Sequence, residues 1–123
     1  MICLDTNYLI LGLIQGSEES LELIEWYRQG EVLVTSMPTW YEFLCGPVDD
    51  VQIETIRAFL AEIIPFGEIQ TVKAAELFLL TGRKRRLKID GMIAATAVSA
   101  NAALATNNKS DFNPFVKHGL TLI

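Results

Sequence analysis

Short apolar runs, several of them stopped by a polar side chain, alternate along this chain with longer stretches in which apolar residues recur at helical spacing. The first run, Ile2-Cys3-Leu4, ends abruptly at Asp5, with Thr6 and Asn7 behind it. Val32-Leu33-Val34 ends at Thr35-Ser36, Ile63-Ile64-Pro65-Phe66 reads as another short strand, and Ala103-Leu104-Ala105-Thr106 is a strand that ends in its threonine. Leu120-Thr121-Leu122-Ile123 closes the chain as a last strand. Helical patterns fill the intervals, and this alternation predicts an α/β fold: a three-layer α/β/α arrangement around a central parallel sheet of about four to five short strands.

The helices are delimited by their caps. Asn7–Ile14 forms a short helix before Gln15-Gly16; Ser17 then caps a second, with Glu18 and Glu19 in its first turn, where carboxylates complement the helix dipole. Leu21, Ile24 and Tyr27, widened by Leu23 and Trp26, supply its apolar face, and Gly30 stops it. Pro38 suits the first turn of the next helix, in which Trp40, Phe43 and Leu44 make an apolar surface while Glu42 projects from another side. After Gly46-Pro47, Asp49 or Asp50 caps a helix bearing Val51, Ile53, Ile56, Phe59, Leu60 and Ile63. A further helix runs from Thr71 through Val72, Ala75, Leu77, Phe78 and Leu79 until Gly82 interrupts it. Ile89–Ala97 reads as a buried helix with Asp90 at its N-terminal end, and Asn107–Asp111 as a polar loop before Phe112, Pro114 and Phe115 return to the core.

Composition changes this picture little. With 123 residues, half of them hydrophobic and 20% charged, the chain reads as one folded domain, 1–123, rather than a disordered segment. No apolar run approaches the ~20 residues that span a bilayer, and the start lacks a basic leader, so a cytoplasmic protein without a membrane partner is expected. Cys3 and Cys45 have neither metal nor redox spacing and read as small core residues.

Charge matters more. A net charge of −5 argues against a general nucleic-acid binder. Its distribution is uneven, however, for half of the basic residues, Arg83, Lys84, Arg85, Arg86 and Lys88, fall in one short span. That cluster is open to three readings: a solvated helix end, a contact for RNA phosphates, or a dock for an acidic segment of a partner.

Three aspartates stand at element junctions, Asp5, Asp90 and Asp111, and Glu42 lies on the helix after the second strand. In a parallel sheet with right-handed crossovers these segments can converge on one edge. Carboxylates gathered there raise one another's pKa, and a divalent cation relieves the conflict. Oxygen-only ligands favour Mg²⁺ or Mn²⁺ over zinc, which points to hydrolysis of a phosphodiester. The single histidine, His118, excludes a multi-histidine metal site, and Trp26, Trp40 and Tyr41 read as core or interface.

Four segments, in order, carry a resemblance: Leu4-Asp5-Thr6-Asn7, Ser36-x-x-Thr39-x-x-Glu42, Asp90-Gly91-Met92-Ile93-Ala94-Ala95-Thr96-Ala97, and Ala105-Thr106-Asn107-Asn108-x-x-Asp111-Phe112. Together they resemble the PIN-domain ribonucleases, and among them the VapC-type toxins of toxin–antitoxin systems. The resemblance implies a PIN-like fold and a Mg²⁺-dependent endoribonuclease, with Mn²⁺ as a substitute ion, restrained by a cognate antitoxin and assembled as a homodimer. It implies Asp5, Glu42 and Asp90 as metal-binding acids within a catalytic set that takes in Asp111, with Thr6, Asn7 and Thr106 as supporting polar groups. Many members carry an aspartate where this chain has Asn108, and others carry the acid where Asp111 stands, so either position fills the fourth corner. The neutral Asn108 also motivates a second reading, a non-catalytic PIN-like module that binds RNA or protein. A third is a phosphatase using Asp5 as nucleophile, although Asn7 replaces the second acid such enzymes carry.

Overall fold

Strands β1 (Ile2–Leu4), β2 (Leu33–Ser36), β3 (Glu62–Ile64) and β4 (Ala103–Ala105) pair in parallel in the order β3-β2-β1-β4, in a computed structural model that describes residues 1–123. Around them stand α1 (Thr6–Leu11), α2 (Glu18–Arg28), α3 (Met37–Cys45), α4 (Asp50–Phe59), α5 (Glu68–Leu80), α6 (Lys88–Ser99) and the single turn α7 (Lys109–Phe112). No helix is long and apolar enough to cross a membrane.

Alternation along each strand divides the core in two. Cys3, Val34, Ile64 and Leu104 face α5, α6 and the chain beyond α7, including Phe112 and Phe115. Ile2, Leu4, Leu33 and Ala105 face the other way, against Leu9 of α1, Leu23 of α2, Trp40 and Phe43 of α3 and Ile56 of α4. The sheet is therefore covered on both sides, the expected three layers. Phe43, Phe112 and Phe115 are fully buried, each contributing about 1.5–3 kcal/mol relative to an exposed side chain.

Local chemistry sets the element ends. Ser17 Oγ accepts from the Ser20 N–H at 3.0 Å, Ser36 Oγ from the Thr39 N–H at 3.1 Å, and Asp49 forms a reciprocal capping box with Gln52. Pro38 lies in the first turn of α3, as its missing N–H allows. Six expectations need correction. The third strand is Glu62–Ile64 rather than Ile63–Phe66, because Pro65 has no N–H to continue the ladder. The first helix stops at Leu11 with Gly12 as its cap, short of Ile14. Helix α5 begins at Glu68 rather than Thr71, because Gln70 Oε1 reaches back to the Gly67 N–H at 3.0 Å and satisfies an earlier end. The polar stretch before Phe112 winds into α7. The last segment gives one isolated bridge, Leu104 to Leu122, instead of a fifth strand: the left-handed Gly119 leads the chain out of a 3-10 turn at Asn113–His118 and meets β4 at one register position only. Cys45, at the exposed C-terminal end of α3, is not a core residue, and Leu44 and Val51 also face outward, whereas Cys3 is buried as expected.

The order of the strands decides which strand ends adjoin. From β1 the chain moves to β2 and β3 with α1 to α4 on one face, then returns to the far side of β1 with α5 and α6 on the other. The direction of travel reverses between β1 and β4. In open parallel sheets ligands bind outside the carboxyl ends of the strands at such a switch point. Asp5 and Thr106 are the residues that immediately follow β1 and β4.

Candidate active site

Asp5 is the N-cap of α1, and its carboxylate is held from three sides. Oδ1 accepts from the Thr6 N–H at 2.8 Å; Oδ2 accepts from Thr106 Oγ1 at 2.7 Å and from Asn7 Nδ2 at 3.3 Å. Only 4% of the residue is exposed. Burial raises its pKa, and the donors from Thr106, Thr6 and Asn7 oppose that rise. Asn7 Oδ1 accepts from the Asn107 N–H at 3.1 Å, and Thr106 Oγ1 from the Asn108 N–H at 3.0 Å, so the loop after β1 is laced to the loop after β4. Both Asp5 oxygens are thus engaged by donors from the loops after β1 and β4.

Helix α3 brings in Glu42. Trp40 and Phe43 are buried, and this phase turns Tyr41 and Glu42 outward. Thr6 Oγ1 donates to Glu42 Oε2 at 2.9 Å, tying the acid to the start of α1. Ser36 and Thr39, although part of the sequence pattern, are fully buried and satisfy each other, Ser36 Oγ to Thr39 Oγ1 at 2.9 Å, so their part is to set the start of α3.

Asp90, in the first turn of α6, is half-buried. Its pKa is pushed up to about 6, first by desolvation and then by the negative charges of Asp111, Asp5 and Glu42, with Arg86 pulling the other way. Asp5, Glu42 and Asp111 therefore all act on Asp90, although the four acids come from four separate segments. Of the two choices for the fourth position, Asp111 is the acid that bears most strongly on Asp90, while Asn108 lends its backbone N–H to Thr106.

No three of these acids converge closely enough to grip one ion between them. After desolvation, the charges of Asp111, Asp5 and Glu42 add to the rise of the Asp90 pKa, and a divalent cation is the kind of group that would offset that repulsion.

The basic residues occupy the approach to α6. Gly82 and Arg83 are left-handed, a 3-10 turn follows at Arg85–Leu87, and Arg83, Lys84, Arg85, Arg86 and Lys88 are all exposed and outside any ion pair. A feature with no assigned role in the sequence lies beside Glu42: an apolar cavity of about 390 Å³ lined by Met37, Pro38, Tyr41, Phe66, Ile89 and Met92. Its one legible sign was Tyr41, an aromatic residue next to Glu42 on the side of α3 away from Trp40.

The PIN domain profile matches residues 2–114. The chain belongs to the PIN domain family. This PIN domain shares its fold with the DNA-bound VapBC from Salmonella typhimurium, at a TM-score of 0.75 and 17% identity, over 99% of this chain and 96% of that one. VapBC2 from Rickettsia felis, bound to a DNA fragment from its promoter, aligns at a TM-score of 0.74 and 20% identity, over 100% and 98% of the two chains. A toxin-antitoxin complex from Klebsiella pneumoniae aligns at 0.70 with 28% identity, over 91% and 90%. No curated protein matches this PIN domain.

Proposed function

We propose that this PIN domain is a divalent-metal-dependent endoribonuclease and the toxin of a toxin–antitoxin pair. The observation that carries the reading is Asp90, pushed up to about 6 beside three further acids at the sheet's switch point. Asp5 and Asp90 would hold Mg²⁺, or Mn²⁺ in its place, with Glu42 and Asp111 completing the catalytic set. When bound, the ion supplies Lewis-acid polarisation of the phosphoryl group and a more nucleophilic water.

The chain's own residues do the positioning. Thr106, Asn7 and the Thr6 N–H hold both Asp5 oxygens in place, and Thr6 Oγ1 aims Glu42. In the hydrolysis, the water oxygen bonds to phosphorus, the bond from phosphorus to one ribose oxygen breaks, and a water proton ends on that leaving oxygen. No protein nucleophile is used. Bare acids would repel RNA, and the cations of Arg83–Lys88 supply the attraction that draws it in.

The VapBC and toxin-antitoxin complexes among the structural relatives support a cognate antitoxin as partner. Exposed Met37, Tyr41 and Ile89 around the cavity favour a homodimer, for which sedimentation should give twice the chain mass; a monomer at micromolar concentration would exclude it. Two free cysteines suit a reducing cytoplasm. Metal-dependent cleavage of RNA, lost in EDTA and in Asp5→Asn, tests the nuclease reading. The second reading, a non-catalytic module, draws on the neutral Asn108 and on the lack of three acids close enough to share one ion. It predicts RNA binding without cleavage, steeply weakened by salt and retained when the acids are neutralised.

A further inference from the structure

The five clustered cations are not equivalent in space. Leu87 is buried, and its N–H bonds to the Lys84 carbonyl at 3.0 Å, which closes the 3-10 turn and fixes it against the core. Helix α6 begins at the very next residue, Lys88, whose backbone is already helical. Arg86 precedes Asp90 by four positions, across a 3-10 turn and the first turn of α6 that meet at Leu87 (φ −97°, ψ 3°), which keeps the two side chains near one another at the start of the helix. Lys88, halfway between them, falls on the opposite side, and its Nζ lies 5.4 Å from the centre of the Phe78 ring on α5. Arg83 sits beyond Gly82 in a left-handed turn of its own.

Arg86 is also uncommitted. Its side chain is exposed, and no carboxylate lies within 4.0 Å of it. A guanidinium beside an acid group but not paired with it keeps its fork of N–H donors for an incoming ligand, and that fork matches two oxygens of a phosphate. The field between Arg86 and Asp90 agrees with this placement.

We propose that Arg86 binds the nonbridging oxygens of the RNA phosphodiester cleaved at Asp5, Glu42, Asp90 and Asp111, while the other four cations of the cluster act only by long-range attraction. This rests on the nuclease reading. As water attacks, negative charge on those oxygens grows, and a cation already in place meets it without reorganisation.

The experiment compares Arg86→Gln, Arg86→Lys and Arg83→Gln, with Arg28→Gln, on the exposed end of α2, as a control of equal charge change. With Mg²⁺ and a single-stranded RNA, Arg86→Gln should lower kcat about 100-fold, the scale of losing one charge-stabilising donor. Arg86→Lys should recover part of that loss, and Arg83→Gln should change KM and its salt dependence but not kcat. Mn²⁺ binding, measured by calorimetry on protein alone, should be as tight or tighter in Arg86→Gln, because a repelling charge is gone. Equal kcat values for Arg86→Gln and Arg83→Gln would overturn the proposal. So would loss of Mn²⁺ affinity in Arg86→Gln, which would mean that Arg86 merely supports Asp90. If the unaltered protein cleaves nothing, the nuclease reading fails separately. Anisotropy with the same RNA then decides on Arg86: weaker binding than Arg83→Gln upholds the phosphate contact, and equal binding, or a loss confined to an acidic peptide, removes it.

Discussion

Asp90 holds its proton to about pH 6, where an exposed aspartate has long since lost its own, because burial and three neighbouring acids disfavour its charge. The consequence for stability has a definite sign. Between the unfolded pKa of 3.8 and the folded value of about 6 the folded chain binds more protons than the unfolded one, so metal-free stability falls as pH rises through that window and stays lower above it. Asp90→Asn removes the penalty. In EDTA at neutral pH its thermal midpoint should rise by several degrees, corresponding to about 1 kcal/mol once solvent screening of a half-buried group is allowed for. Added Mg²⁺ should raise the midpoint of the unaltered protein more than that of the variant. A midpoint lowered by Asp90→Asn in EDTA would show that the carboxylate stabilises the fold instead.

Elements are where the sequence was most legible, because strand ends and helix caps are decided by neighbours in the chain. Asp5, Thr35-Ser36 and Thr106 each marked a strand end, Ser17 marked a helix start, and of the two candidate caps Asp49 and Asp50 it is Asp49 that starts α4, all through local hydrogen bonding. What escaped depends on contacts distant in sequence. Whether Leu44, Cys45 and Val51 are covered is set by what packs over α3 and α4, and the choice between Asn108 and Asp111 turns on how α7 approaches α6. Helix glycines test this element-level account. A Cβ at Gly91, in α6 beside Asp90, would meet only Phe115 ring carbons at 3.8 and 3.9 Å, ordinary contact, so Gly91→Ala should stabilise by up to about 1 kcal/mol. At Gly12 a Cβ would lie 2.5 Å from both Leu23 Cδ1 and the Tyr8 carbonyl oxygen, so Gly12→Ala should destabilise. Urea unfolding of the pair checks both signs, and equal shifts would contradict the packing described between α1 and α2.

At the scale of the whole molecule, the strand order β3-β2-β1-β4 matters most. It places the ends of β1 and β4 side by side, so that Asp5 and Thr106, a hundred residues apart in the chain, share a 2.7 Å hydrogen bond. Short apolar runs foretold parallel strands, but not which strands adjoin, and so they could not say which acids would meet. The same order brings Glu42 on α3 and Asp90 on α6 to these strand ends, with the apolar cavity beside Glu42 and the cations of Arg83–Lys88 just ahead of α6. The role proposed for these acids is to hold a divalent cation for RNA cleavage. The most direct measurement is cleavage of a defined RNA by the unaltered protein and by Asp90→Asn, in Mg²⁺ and in EDTA, with the thermal midpoint recorded on the same samples. The account predicts cleavage only by the unaltered protein in Mg²⁺, with a variant that is inactive yet at least as stable. Cleavage that persists in EDTA, or undiminished in Asp90→Asn, would contradict it.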